Sequence, residues 1–112
     1  VPKRNIYFKF EMLILSILQY KDCYGYELTQ IIKRLSDDVI DIKEGVLYPN
    51  LYKLLQTGYI SSYDQLVNRK VRVYYHLEES GKEYLKVILR EYLLWEEKID
   101  KIIHCKKEDI DE

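Results

Sequence analysis

Apolar positions along the chain follow a helical period first, then an alternating one, then a helical one again. Phe10, Leu13, Ile14, Ile17 and Leu18 recur at i, i+3, i+4, i+7 and i+8, one face of a helix, and Met12 and Leu15 add apolar surface on its other sides. A helix so nearly apolar all round requires a second layer over it. Lys21-Asp22-Cys23 reads as a turn, and Tyr24-Gly25-Tyr26 opens a second helix with Leu28, Ile31, Ile32 and Leu35 inward and Lys33 and Arg34 outward. Ser36-Asp37-Asp38 ends it, and Val39–Ile42 is a short extended piece that can pair as a minor strand.

The rest of the chain is organised around 44–60, EGVLYPNLYKLLQTGYI. Leu47, Leu51, Leu54 and Leu55 fall on one helical face; Gly45, Pro49, Tyr52, Lys53 and Gln56 lie across from them, with Tyr48 and Asn50 on the flanks. Pro49 lacks a donor and crowds the carbonyl four residues back. That residue is Gly45, the least crowding choice, and Pro49 sits near the helix start, where the cost is lowest. Gly58 supplies a residue able to take positive φ just past the last turn, a common helix stop. A leucine face backed by Gly, Pro, Tyr, Lys and Gln suits contact with something outside the fold.

Strict alternation follows. Val71, Val73, Tyr75 and Leu77 interleave with Arg72, Tyr74 and His76, the pattern of a half-buried strand, and Ile60–Leu66 is its antiparallel partner. Between them Val67-Asn68-Arg69-Lys70 forms a turn with two adjacent cations. From Glu79 to about Lys106 the helical period returns. Leu85, Ile88, Tyr92, Trp95, Ile99 and Ile102 make a heptad seam, widened by Leu89, Leu94 and Ile103. At roughly 25 Å this stripe is longer than a small three-helix core covers, so a second copy of the same helix is the expected partner. Folding back onto its own domain is the other way to cover it. Residues 108–112 read as a solvated acidic tail, and Val1–Tyr7 as a loose arm whose Lys3 and Arg4 lie within reach of a backbone.

These elements predict a mainly α fold with a small antiparallel β-hairpin (α+β): a winged helix-turn-helix domain plus a long C-terminal dimerisation helix. Residues 1–77 are expected to form the DNA-binding domain, and 78–112 the dimerisation helix and tail, in one continuous structural unit. A length of 112 residues fits that single unit. No apolar run is long enough for a bilayer, no signal-peptide pattern opens the chain, and Cys23 and Cys105 lie in no CxxC arrangement, so reduced thiols in a cytoplasmic protein are expected.

The net charge is −1, but its distribution says more than its sum. Residues 1–42 balance; residues 43–72 carry five basic against two acidic side chains, netting +3; residues 73–112 net −4. The excess cations are Lys43, Lys53, Arg69, Lys70 and Arg72, on the central helix and the hairpin, where a local patch can meet phosphates. A solvated surface with uneven charge is the plainer alternative. No Gly-rich phosphate loop, GxSxG or HExxH occurs, so neither enzyme nor cofactor is expected. His104-Cys105 is the one adjacent pair of soft ligands, but neighbouring helical residues point about 100° apart, and no metal site is expected there. The 12 tyrosines could stack on bases, yet packing explains most of them more simply.

Three segments in order carry a family resemblance: Tyr24-Gly25-Tyr26-Glu27-Leu28, the 44–60 stretch, and Val73-Tyr74-Tyr75-His76-Leu77-Glu78-Glu79-Ser80-Gly81. Together they resemble the PadR-like family of winged helix-turn-helix transcriptional regulators, in its short form with a single C-terminal dimerisation helix. The resemblance covers Phe10 to about Leu85. It implies a homodimeric repressor whose two 44–57 helices enter a pseudo-palindromic double-stranded operator, released by a small-molecule effector. Tyr48, Asn50 and Tyr52 are then the candidates for base or sugar contact. Lys43, Lys53, Arg69, Lys70 and Arg72 are the candidates for phosphates.

Trp95 and Tyr92 mark the candidate effector site, a flat aromatic gap between subunits; interface packing alone is the competing reading. Three positions depart from the family pattern. Glu78 stands where Thr usually caps the last helix, His76 replaces a basic wing residue, and Val73 stands where Lys is common. These leave Arg69, Lys70 and Arg72 with more of the grip. A winged-helix module that binds protein through its acidic C-terminal half, without DNA, is the alternative class, and salt dependence separates the two.

Overall fold

Ile14 and Leu15 are completely enclosed at the middle of α1 (Phe10–Leu18), and α2 (Gly25–Leu35), α3 (Glu44–Thr57), β3 (Lys70–Leu77) and α4 (Glu79–Ile103) all lie against that helix. The second layer demanded by an apolar α1 is thus three helices and the central strand of the sheet. This computed structural model describes residues 9–111, so the arm expected at Val1–Tyr7 lies outside them. Leu47, Leu51 and Leu54 of α3 and Leu28 and Ile32 of α2 complete the core with Ile60, Tyr75 and Leu77 from the sheet.

The α3 helix runs unbroken through Pro49 and stops as its sequence predicts. Gly58 takes φ +79°, its amide donates to the Leu55 carbonyl at 3.1 Å, and the Tyr59 amide donates to the Leu54 carbonyl at 3.1 Å. The link before α3 corrects an expectation. Val39–Ile42 forms no strand: Asp37 and Asp38 reverse the chain at φ 52° and 67°, Ser36 Oγ accepts from the Ile40 amide at 2.9 Å, and Ile42 plugs the core. The minor strand is instead β1 (Cys23–Tyr24), which pairs with β3 through Cys23–Tyr75 and Tyr24–Tyr74.

The hairpin of β2 (Ile60–Val67) and β3 closes through a two-residue turn, Asn68-Arg69, both at positive φ (50° and 67°). The sheet order is β1-β3-β2. Of the four residues expected inward on β3, only Tyr75 and Leu77 are buried. Val71 and Val73 are exposed because the outer half of the hairpin projects beyond the helices.

Glu78 precedes α4 as an N-cap without a capping side-chain bond, in keeping with its poor capping chemistry. The helix ends at Ile103, a turn earlier than expected, and the exposed acidic tail contains a single helical turn, α5 (Lys107–Ile110). The seam also needs correction. Leu85 and Ile88, expected between subunits, are 3% and 5% exposed and belong to this chain's own core, because the first turns of α4 pack on α1. From Tyr92 onward no α4 residue is buried. That projecting half makes the molecule 67 Å long and under 30 Å across, with dimensions of 67 × 29 × 28 Å.

Candidate nucleic-acid interface

Close packing of α2 on α3 positions the first element of the interface. A Cβ at Gly25 would stand 2.6 Å from Tyr48 Oη, so only glycine lets the Tyr48 ring lie over the start of α2. Around it Tyr24, Tyr26, Arg72 and Tyr75 line a shallow groove where α2, α3 and β3 meet. A neighbouring recess is lined by Tyr26, Gln30, Lys43, Glu44 and Tyr48. Tyr26 and Tyr52 are about two-thirds exposed and Tyr48 is nearly half exposed.

The hairpin face beside this groove is an aromatic array. The Arg72 guanidinium lies 4.3 Å over the Tyr24 ring. Tyr24 meets Tyr74 edge-on at 5.5 Å, and Tyr74 stacks with Tyr63 at 5.7 Å. The array is anchored at Asp22: Tyr63 Oη donates to one carboxylate oxygen at 2.7 Å, and His76 Nδ1 meets the other at 2.8 Å. Burial pushes the Asp22 carboxyl up, but the His76 and Tyr63 hydrogen bonds outweigh it and hold the group below the usual range. The Tyr63 phenol is held above its usual value, first by its hydrogen bond to Asp22.

The predicted contact residues do not all face one way. Lys43 is exposed and pairs with Asp41 at 2.8 Å. Arg69 and Lys70 sit exposed at the hairpin tip. Asn50 Nδ2 donates to the Val46 carbonyl at 2.7 Å. Lys53, five residues and about 140° around the helix from Tyr48, turns toward α1, where its ammonium lies 3.9 Å from the Glu11 carboxylate. Tyr92 Oη donates to Glu96 at 2.9 Å on the projecting half of α4, and Trp95 there is 39% exposed.

Sequence reasoning missed two participants. Tyr26 reads as part of a helix start, with nothing to mark it for the groove. Glu11 was legible in principle, as the one charge inside an otherwise apolar helix. Among the described residues no group of His, Cys, Asp and Glu side chains could hold a metal ion, and no helix is long and apolar enough to cross a membrane.

Comparison with known proteins agrees with this architecture. The family model for the transcriptional regulator PadR-like family matches residues 14–87. A transcriptional regulator from Clostridium thermocellum superposes with a TM-score of 0.77 at 36% identity, covering 81% of this chain and 89% of that one. A protein from Streptococcus mutans UA159 is 41% identical with a TM-score of 0.73, covering 83% and 84%. PadR of Bacillus subtilis, solved in complex with operator DNA, is 28% identical with a TM-score of 0.65. The match covers 71% of this chain and 46% of that longer one. The helix-turn-helix, the wing and the start of the long helix all fall within the matched segment, and the chain belongs to the PadR-like family of transcriptional regulators.

Proposed function

We propose that the protein is a homodimeric, operator-binding repressor. Its two α3 helices enter successive major grooves of a pseudo-palindromic site about one helical turn apart. Tyr48, Tyr52 and Asn50 meet bases or sugars, while Lys43, Arg69, Lys70 and Arg72 meet phosphates.

The observation that carries this reading is Arg69 at φ 67° in a two-residue hairpin turn. Such turns favour glycine at that position, and a bulky residue there is strained. A strained cation beside Lys70, at the tip of a hairpin that projects past the helices, suits an anionic partner better than it suits stability. Gly45 supports the same side: a Cβ there would meet nothing within 4 Å, so packing inside the chain does not require the glycine. It leaves the start of α3 bare for close approach by a phosphate backbone.

The exposed half of α4, with Tyr92, Trp95, Ile99 and Ile102, is the proposed seam between subunits. A planar aromatic or hydrophobic small molecule against Tyr92 and Trp95 is the proposed releasing signal. Trp95 is the single tryptophan, so its fluorescence reports such binding directly.

Selection of bound duplexes from a random pool, followed by titration over salt, tests the reading. Operator affinity must fall steeply as salt rises, and Arg69→Ala with Lys70→Ala must lower the slope of log K against log salt by about one unit for each phosphate no longer neutralised. A wild type without salt-dependent DNA binding returns the acidic α4 surface, and with it a protein partner, to first place.

A further inference from the structure

Lys53 is a cation on the proposed recognition helix, yet its ammonium stands 3.9 Å from a carboxylate of the neighbouring helix α1. The carboxylate it faces, Glu11, is 2% exposed, and a charge removed from water needs close compensation. Glu11 finds it on two other helices: Tyr84 Oη of α4 donates to Oε1, and Lys53 of α3 stands 3.9 Å from Oε2. One carboxylate therefore joins α1, α3 and α4.

The junction is closed by further contacts. The Tyr84 ring lies flat on Tyr59, 4.2 Å between centroids and 6° from parallel, just after the Gly58 stop of α3. The Glu78 amide donates to the Tyr59 carbonyl at 3.0 Å, and Ser80 Oγ donates to the Gly58 carbonyl at 3.0 Å. The last turn of α3 and the first turns of α4 are thus fastened together, with Glu11 at the centre.

Two roles compete for Lys53. As a phosphate ligand it would leave Glu11 buried with a neutral donor alone, a costly loss. DNA phosphates, by contrast, have Arg69, Lys70 and Lys43 available. We infer that Lys53 is the counter-ion of Glu11, not a phosphate ligand, and that Glu11 is a positioning residue for operator recognition. The Glu11–Lys53–Tyr84 junction sets the angle of α3 against α4, and so the spacing of the two recognition helices in the dimer. This inference rests on the operator-binding reading above.

The test compares wild type, Glu11→Gln, Lys53→Met and the double variant on a selected operator over a salt series. Lys53 itself is 59% exposed, but removing it alone leaves the Glu11 charge uncompensated, so the double variant, which removes both charges, is the one that separates a loosened fold from a lost pair. Each single variant is expected to weaken operator binding about tenfold with the salt slope unchanged. The double variant is expected to be no weaker than the weaker single one, because the two changes break the same pair. Lys53→Arg, which keeps the charge, should recover the affinity that Lys53→Met forfeits. A slope reduced by about one unit in Lys53→Met, or losses that multiply in the double variant, would overturn the inference. Absence of DNA binding by the wild type would sink the regulator reading alone. The thermal midpoints of the same four proteins then decide the pair: non-additive shifts uphold it and additive shifts refute it.

Discussion

Tyr48 Oη lies 2.6 Å from the point where a Cβ on Gly25 would stand, so the ring that faces the groove is held by the absence of a side chain on the neighbouring helix. Gly25→Ala should displace the ring rather than the helices, because the obstructed atom is the far end of a half-exposed side chain. The expected outcome is a thermal midpoint close to wild type and operator affinity reduced several-fold. A variant that binds as wild type does would remove Tyr48 from the interface.

Arg69→Gly separates stability from binding in the opposite sense. Glycine relieves the positive-φ strain and should raise unfolding stability by about 1 kcal/mol. It also deletes a wing cation, so the salt slope of DNA binding should fall by about one unit. Denaturant titration and binding on the same preparation read both signs at once.

Gly81 tolerates no substitution. A Cβ there would stand 2.1 Å from the Tyr59 carbonyl and 2.6 Å from Leu77 Cδ1, and the first of these atoms is backbone at the α3–α4 joint. Gly81→Ala should cost at least about 2 kcal/mol, visible as a thermal midpoint several degrees lower.

The two thiols should behave differently. Cys105 is exposed, whereas Cys23 is buried, and burial pushes its pKa up to about 11. At pH 8 a disulfide reagent should titrate one thiol per native chain and two in denaturant. Because the folded value is raised, the Cys23 contribution to stability is complete below the unfolded value of about 8.5. It declines as pH rises from there through about 11. Cys23→Ser should flatten that alkaline decline.

Acid acts through Asp22. Its folded pKa lies below the ordinary carboxylate value, so its contribution is present above about pH 4 and is lost as pH falls through the folded value. Asp22→Asn should remove that part of the acid dependence. It should also loosen Tyr63 and His76, broadening wing signals in a heteronuclear spectrum.

The helices, the Gly58 stop and the hairpin were legible because each rests on a local pattern: a period, a turn residue, an alternation. What was not legible depended on where elements land on one another. Leu85 and Ile88 carry the same seam signature as Ile99 and Ile102, and only the packing of α4 on α1 separates core from projecting surface. Val39–Ile42 has strand-like residues, but two aspartates in left-handed conformations turn the chain back just before it. Lys53 counts as a surface cation in any tally of charge, and its pairing with Glu11 crosses two helices that no sequence spacing connects.

The order β1-β3-β2 leaves the wing open along its sides. The outer side of β2 pairs with no strand among the described residues, and β1 covers β3 only at Tyr74 and Tyr75, leaving Lys70–Val73 uncovered. Uncovered strand edges with exposed apolar side chains, here Leu66, Val71 and Val73, are templates for other chains to add to. Lys70 and Arg72 sit on that open length, where like charges on two approaching wings repel. On the proposed reading, the cations offered to phosphates would thus also discourage edge-to-edge pairing of two wings. Exchanging them for valines to weaken DNA binding would yield a chain that aggregates on warming, so any survey of the wing is better made with glutamine or threonine.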